Sequence, residues 1–450
     1  MSICLANFLR RSTTLLALFA GFSTALAADP YASNNGLLPT AGQWAQPYRT
    51  LNFDYPGKAP ANGWLITAPC SPITVASAPA YVAQLKKFVE PSMRDMIEKP
   101  STWNAAQRGW YDMPWQAEGN ATEGREAILG SFAGQILPAN AFTNVNLPMQ
   151  NHTVVYYDAL SATMLKRLWA NPFNPDRKNV VFPEGAMVIK AAAVTLTPEQ
   201  WPVLKDAAVW NVWRPTVADT LLANKTAGQV PAPSLLTLRV LQFDIIVKDS
   251  VASPKTGWVF TTFVYKQDAA GAGAWDKLVP LGAQWGNDPD LALSPSGTAV
   301  GNKPMALQEN WINPQAPSFS KEMLGWGGRL SGPIDVSKRH NVIFTDGQTR
   351  SDQRASACLS CHGTAQYPFI TNLYPAPNRA FPPDGSPFLL YTPGSQEWAR
   401  WYQNRSGTTP QNPSAGTTAL DYDMLIMLAL AAFDAASGGD RYLQKRVRGH

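Results

Sequence analysis

The sequence is poor in charge. Lysine and arginine number 37 and aspartate and glutamate 32 in 450 residues, so charged side chains make up 15% of the chain, against roughly 25% in an average globular protein. The formal net charge of +5 is spread over that whole length. It builds no concentrated cationic face, which excludes nucleic acid as a natural partner. There are only four cysteines, too few for the disulfide framework of an exported chain of this size. Four histidines leave few positions for imidazole chemistry. No apolar run reaches the roughly 20 residues needed to span a bilayer; the two longest, residues 13–26 and 424–433, cover about 14 and about ten. The second is predicted to be a buried helix, and no transmembrane span is expected.

Apolar side chains are plentiful at 45%, enough to bury a sizeable core and to exclude global disorder. With 38 prolines and 32 glycines, long helical bundles are disfavoured. The length allows two or three domains, or one core with large insertions.

The first 27 residues read as an address. Arg10 and Arg11 form a positive leading segment, residues 13–26 are apolar or small, and Ala25-Leu26-Ala27 fits the small-x-small cleavage pattern. The mature chain is expected to begin at Ala28 or Asp29, exported to the periplasm. The arginine pair is not followed by Phe-Leu-Lys, which favours the general secretory route over the twin-arginine one.

Cys4 leaves with this leader, and Cys70, Cys358 and Cys361 remain. Cys358-Leu359-Ser360-Cys361-His362 is a C-x-x-C-H motif, the attachment pattern of c-type haem. The spacing has a chemical reason. Two thiols add across the two vinyl groups of a porphyrin, and the histidine after the second cysteine lies where its Nε2 can bind the iron. Such attachment takes place outside the bacterial cytoplasm, in agreement with the leader. A thioredoxin-like redox pair would sit at a strand-to-helix turn without the histidine. A zinc site would need a second local ligand pair, and Cys70 and His340 are isolated in sequence. Cys70 reads as a small buried residue or an unreactive thiol.

Four regions are expected: the leader (1–27), a Pro- and Trp-rich wrapping region (28–150), an antiparallel β-domain (151–300) and a C-terminal haem-binding region (301–450). Helical spacing places a helix over 81–98, with Val82, Leu85, Phe88 and Val89 facing the core and Pro91 kinking or ending its first half. Strands are predicted at 153–158, 186–196, 235–248 and 258–266, with a short helix over 159–169. Residues 235–248 alternate clearly: Phe243, Ile245 and Val247 fall on one face, and Gln242, Asp244 and Lys248 on the other. The last two strands are expected to form an antiparallel hairpin. After the motif come a Pro-rich stretch (368–393) and helices over 395–404 and 419–432. The fold class is α+β, an antiparallel sheet core with short helices, and no internal repeat is visible.

At Cys358, Cys361 and His362 the chain resembles the monohaem c-type cytochromes. Phe182-Pro183-Glu184-Gly185, a strand carrying Lys190, Ile246-Val247-Lys248-Asp249 and Gly257-Trp258 then precede that motif. In this order they resemble, in pieces over roughly residues 150–370, the hydroxylamine-oxidising cytochromes with a lysine-crosslinked haem and the beta-sheet cytochromes c-prime. The resemblance implies a small antiparallel sheet against the haem, and a Lys190 that could face it; the plain reading of Lys190 is a solvent-facing residue on a half-exposed strand. The chain departs from both families in its long N-terminal arm, its insertions and the residues after the motif.

The expected cofactor is one covalent haem c, held by Cys358 and Cys361 with His362 as proximal iron ligand. The expected function is electron transfer with a soluble redox partner protein. The alternative is a haem enzyme or gas-binding protein, acting on a small nitrogen oxide or peroxide at an open sixth iron position. Met424 is the first candidate for the sixth ligand and Met427 the second, with core packing of both as the plain reading. His152 and His340 are further candidates, and His450 is terminal. Arg329, in Gly325-Trp326-Gly327-Gly328-Arg329, could pair with a haem propionate or belong to an ordinary loop. Residues 286–290 could ligate calcium, although two carboxylates in a proline turn read as a solvated turn. The basic tail, with Arg441, Lys445, Arg446 and Arg448, could steer an acidic partner or be simply solvated.

Overall fold

A computed structural model describes residues 29–437 except 33, 35, 61–62, 118–123, 227–228, 336–337 and 378–387. The leader, with Cys4, and the basic tail, with His450, lie outside the described residues. Of residues 338–341 and 351–352 the backbone alone is described.

Along the chain the elements are α1 (Ala78–Glu98), β1 (Trp110–Tyr111), β2 (Phe132–Leu137), β3 (Met149–Asp158), α2 (Ala159–Leu168), β4 (Met187–Val194), β5 (Val209–Arg214), α3 (Val217–Asn224), β6 (Ser234–Lys248), β7 (Trp258–Tyr265) and β8 (Leu278–Gln284). A two-residue ribbon, β9 (Ala299–Val300) and β10 (Lys303–Pro304), precedes β11 (Asn310–Ile312) and α4 (Ser318–Glu322). The C-terminal part holds β12 (Lys338–Phe344), β13 (Thr349–Arg354), α5 (Cys358–His362), β14 (Gln366–Tyr367), β15 (Phe388–Leu390), α6 (Gln396–Ala399), β16 (Thr418–Ala419) and α7 (Met424–Ala436).

The fold is α+β around a mainly antiparallel sheet. Nine strands form it in the order β1-β3-β4-β6-β7-β8-β11, with β2 also paired to β3 and β5 also paired to β6. The expected hairpin is there, β6 against β7 with Ile245 opposite Thr261. Strand side chains alternate between faces, and the register sorts them into two cores. Tyr156, Ile189, Ile245 and Ala283 lie in one row across β3, β4, β6 and β8, and they pack with Leu85, Val89 and Met93 of α1. The neighbouring row, Tyr157, Val188, Ile246 and Phe260, faces the other way. It packs with Leu165 of α2 and Ile426 and Leu430 of α7. A third core, with Val342, Phe344, Phe388 and Trp398, lies under the C-terminal loops.

Three elements differ from their sequence reading. α1 continues unbroken through Pro91, which sits on its exposed side; buried Leu85 and Val89 before it and Met93, Met96 and Ile97 after it hold the helix to the sheet. Phe88 is on the outside, 39% exposed, with its ring edge-on to Trp64 at 5.7 Å. α7 starts at Met424 rather than 419, because Asp421 and Tyr422 have φ of +48° and +67°, values a right-handed helix cannot include. The Asp423 carboxylate then caps the helix, accepting from the Ile426 N–H at 2.8 Å.

The polar face of β6 is the most consequential difference. Gln242, Asp244 and Lys248 are all buried, because the C-terminal segment lies over them and supplies partners for their polar atoms.

Candidate functional site

α5 is a single helical turn that carries the whole C-x-x-C-H motif. Its start is tied down. The Cys358 N–H donates to the Leu330 carbonyl at 2.9 Å, the Leu359 N–H to Gln284 Oε1 at 2.9 Å, and the Ala357 N–H to Ser360 Oγ at 2.7 Å. The strap 325–330 comes so close that a Cβ on Gly325 would meet the Ser356 carbonyl oxygen at 2.2 Å. Leu359 and Ser360 point inward and are buried, whereas Cys358, Cys361 and His362 are partly exposed. Residues three and four apart share a helix face, so both thiols and the imidazole are offered on one side. Neither thiol is in a disulfide. Burial, with the nearby Asp335 and Asp244 carboxylates, pushes the Cys358 thiol well up, against the opposing Lys190 cation.

His362 Nδ1 lies 2.8 Å from the Tyr422 carbonyl oxygen. A carbonyl only accepts, so Nδ1 carries the proton and Nε2 the lone pair. Nε2 has no hydrogen-bond partner among the described residues. The Phe260 ring closes one side, with centroids 4.7 Å apart. Burial pushes the imidazole pKa down to about 4, with the Lys190 cation acting the same way and the Tyr422 carbonyl and Asp335 opposing. The ring is therefore neutral at pH 7 and in the tautomer of a metal-ligating histidine whose second nitrogen is occupied by a carbonyl.

The Tyr422 carbonyl is in turn held by its neighbour. The Asp421 carboxylate accepts from the Phe182 N–H at 2.7 Å, from Trp258 Nε1 at 2.8 Å and from Lys248 Nζ. The three scattered motifs thus send Phe182, Lys248 and Trp258 to one buried carboxylate directly before Tyr422. The Tyr422 hydroxyl donates to the Arg405 carbonyl at 2.8 Å.

A second polar group lies on the same sheet face. Lys190 is only partly exposed and is paired. Its Nζ forms an ion pair with Asp335 and another with Asp244 at 3.2 Å. Burial lowers the Lys190 pKa, but the two carboxylates outweigh this and hold it above the usual lysine range. Gln242 Nε2 bridges both carboxylates at 2.7 and 2.8 Å. Burial pushes Asp244 up to about 6, Lys190 pulling it down and Asp335 up. Burial pushes Asp335 up, but the Lys190 cation and the hydrogen bonds from Lys190 and Gln242 together outweigh it and hold Asp335 below its ordinary value. One Asp244 oxygen, Oδ1, is buried without a hydrogen-bond partner among the described residues.

No family model, no curated protein and no solved structure matches this chain.

The other candidates scatter. Met424 opens α7 two residues after Tyr422, next to the segment that engages His362 Nδ1, and Met427 is buried in the core of that helix. His152 is fully buried on β3, but it alternates with Thr153 and shares the opposite sheet face with Tyr156. It therefore cannot reach the face that carries His362. His340 lies on β12, where the backbone alone is described. Cys70 is exposed rather than buried, because it lies in a proline-flanked surface loop, and it is in no disulfide.

Arg329 is a correction. It is 0% exposed, and its guanidinium donates to the carbonyls of Asn287, Gly297, Trp326 and Asp288 at 2.8–3.2 Å while stacking over Trp326 and Tyr402. It staples loops together and is not free for a propionate. Asp288 is likewise no solvated turn residue. Its carboxylate accepts from the Gln308 and Glu309 N–H groups and from Asn310 Nδ2. Asp335, Asp421 and Tyr422 were missed. A lone aspartate in a loop carries no periodic signal, and only the Asp-Tyr-Asp run before an apolar helix hinted at a cap.

Proposed function

We propose that the chain is an exported, periplasmic c-type cytochrome that holds one haem c through Cys358 and Cys361, with His362 as proximal iron ligand, and exchanges electrons with a soluble partner protein. The reading is carried by His362. Its Nδ1 proton is committed to the Tyr422 carbonyl and its Nε2 lone pair has no hydrogen-bond partner among the described residues, beside two cysteines of the same helical turn that are in no disulfide. The group supplies a one-electron iron couple when bound. The chain's own part is to present the two sulfurs, fix the imidazole tautomer through Tyr422, and exclude water with Phe260, Trp258 and the apolar face of α7.

A second reading has a specific observation behind it. His152 is on the wrong face, and Met424 follows directly from the Nδ1 side of His362, so neither is the sixth ligand favoured by this arrangement. With Lys190, Asp244 and Asp335 gathered beside Cys358, an open sixth position and chemistry on a small gas, nitrogen oxide or peroxide become the alternative to simple electron carriage.

One set of measurements tests both. Protein from a host competent in cytochrome maturation should be coloured, with an intact mass one haem above that of the processed polypeptide; Cys358→Ser with Cys361→Ser should abolish both. Colourless material with the polypeptide mass alone sinks the proposal. A ferrous spectrum unchanged by carbon monoxide supports the carrier, and rapid carbon monoxide binding supports the open site. Met424→Ala is expected to leave the ferrous spectrum unchanged.

A further inference from the structure

We propose that the buried Lys248–Asp421 ion pair is a positioning device for His362, acting through the Tyr422 carbonyl; this rests on the reading of His362 as an iron ligand. The Asp421 side chain is fully buried and that of Lys248 is 10% exposed, a costly place for two charges unless they are paired and further hydrogen-bonded. They are. Besides Lys248, Asp421 collects the Phe182 N–H and the Trp258 indole, donors from the loop before β4 and the start of β7. Lys248 ends β6, and its Nζ also lies 5.7 Å from the centre of the Trp258 ring.

Asp421 and Tyr422 are two successive non-glycine residues in the left-handed region, a conformation that L-residues adopt only where surroundings impose it. The surroundings here are explicit. Asp421 is clamped to the sheet, the Tyr422 hydroxyl is tied to Arg405, and Asp423 caps α7 while accepting the Tyr157 hydroxyl at 2.8 Å. The forced turn aims the Tyr422 carbonyl at His362 Nδ1 instead of feeding it into α7. The sheet thereby dictates which imidazole nitrogen carries the proton and how strongly the other can donate. A firm Nδ1–H···O bond raises ligand basicity and favours the ferric state.

The test uses the full chain as purified, carrying the neutral double variant Lys248→Met with Asp421→Asn. Trp258→Phe is the milder companion, removing one donor and leaving the ion pair. Folding is confirmed by circular dichroism. In ¹⁵N imidazole spectra of haem-free material, the His362 ratio of Nδ1–H to Nε2–H tautomer should fall about fivefold in the double variant, the worth of one hydrogen bond, and less in Trp258→Phe. In haem-bearing material the iron–imidazole stretching band should move to lower frequency, and the ferric/ferrous equilibrium should shift about threefold toward ferrous. Lys248→Arg alone, which keeps the pair with Asp421, should leave both at their wild-type values. An unchanged tautomer ratio, or an unchanged stretching band and redox equilibrium, in the folded double or Trp258→Phe variant overturns the proposal. Absence of haem from the wild-type protein overturns the cytochrome reading instead, and the tautomer measurement still decides this one.

Discussion

Two histidines on opposite faces of one sheet have opposite surroundings. Among the described residues, His362 has a partner for one nitrogen and none for the other, whereas both ring nitrogens of His152 are buried with no partner. Burial, aided by the Arg214 cation, pushes the His152 pKa down to about 3. The unfolded chain takes up this proton near pH 6.5 and the native state does not, so stability falls as pH drops from 6.5 toward 3. His152→Leu should remove that dependence, flattening the stability profile by about 1.4 kcal/mol per pH unit between pH 6 and 4. Urea midpoints at pH 4, 5, 6 and 8 measure it, and a slope equal to that of the wild type would contradict the burial. Arg329 gives a second residue-scale expectation. Arg329→Met strands four carbonyls and should cost about 3 kcal/mol in urea unfolding without altering a haem spectrum; a spectral change would return it to the propionate role.

At the scale of elements, periodicity was legible and its boundaries were not. Spacing located α1, but Phe88 was read as core because it lies beside the true stripe of Leu85, Val89 and Met93. Leu85→Ala should therefore cost about 3 kcal/mol, and Phe88→Ala only about 1 kcal/mol, mostly its edge contact with Trp64. Chemical denaturation of the two variants checks the contrast; equal costs would refute it. β6 shows the limit of pattern reading. The alternation of Phe243, Ile245 and Val247 with polar residues was correct, but what covers the polar face was not legible, since nothing local announces that residues some 90 to 180 positions later will pack over it. The start of α7 failed for a similar reason. Residues 419–423 look helical by composition until the clamp on Asp421 imposes positive φ.

The whole molecule is joined through its sheet. β6 sends Phe243, Ile245 and Val247 into the core under α1, and Ile246, Asp244 and Lys248 into the region under α7 and the motif. The two cores share their strands, and Leu373 touches both the second and the third core. Unfolding is accordingly expected as one cooperative transition, with far-ultraviolet dichroism and tryptophan fluorescence giving coincident melting curves; two separated transitions would show independent units. Some of what little charge the chain carries is buried in pairs, Arg49–Asp112 and Lys248–Asp421.

By itself the sequence determined the α+β class, four of the nine strands of the main sheet, the largely buried character of 424–433 and the spacing that sets Cys358, Cys361 and His362 on one helical turn. These depend on spacing within a few residues, where chain geometry alone sets which side chains lie together. Only the tertiary structure decided that Phe182, Lys248 and Trp258 meet at Asp421, that Lys190 is a paired cation beside the motif, that Arg329 is a staple, and that His152 faces away. Each of those is a contact between residues dozens to hundreds of positions apart, created when the C-terminal segment closes over a polar sheet face. Burial there turns ordinary surface-type residues into obligatory partners.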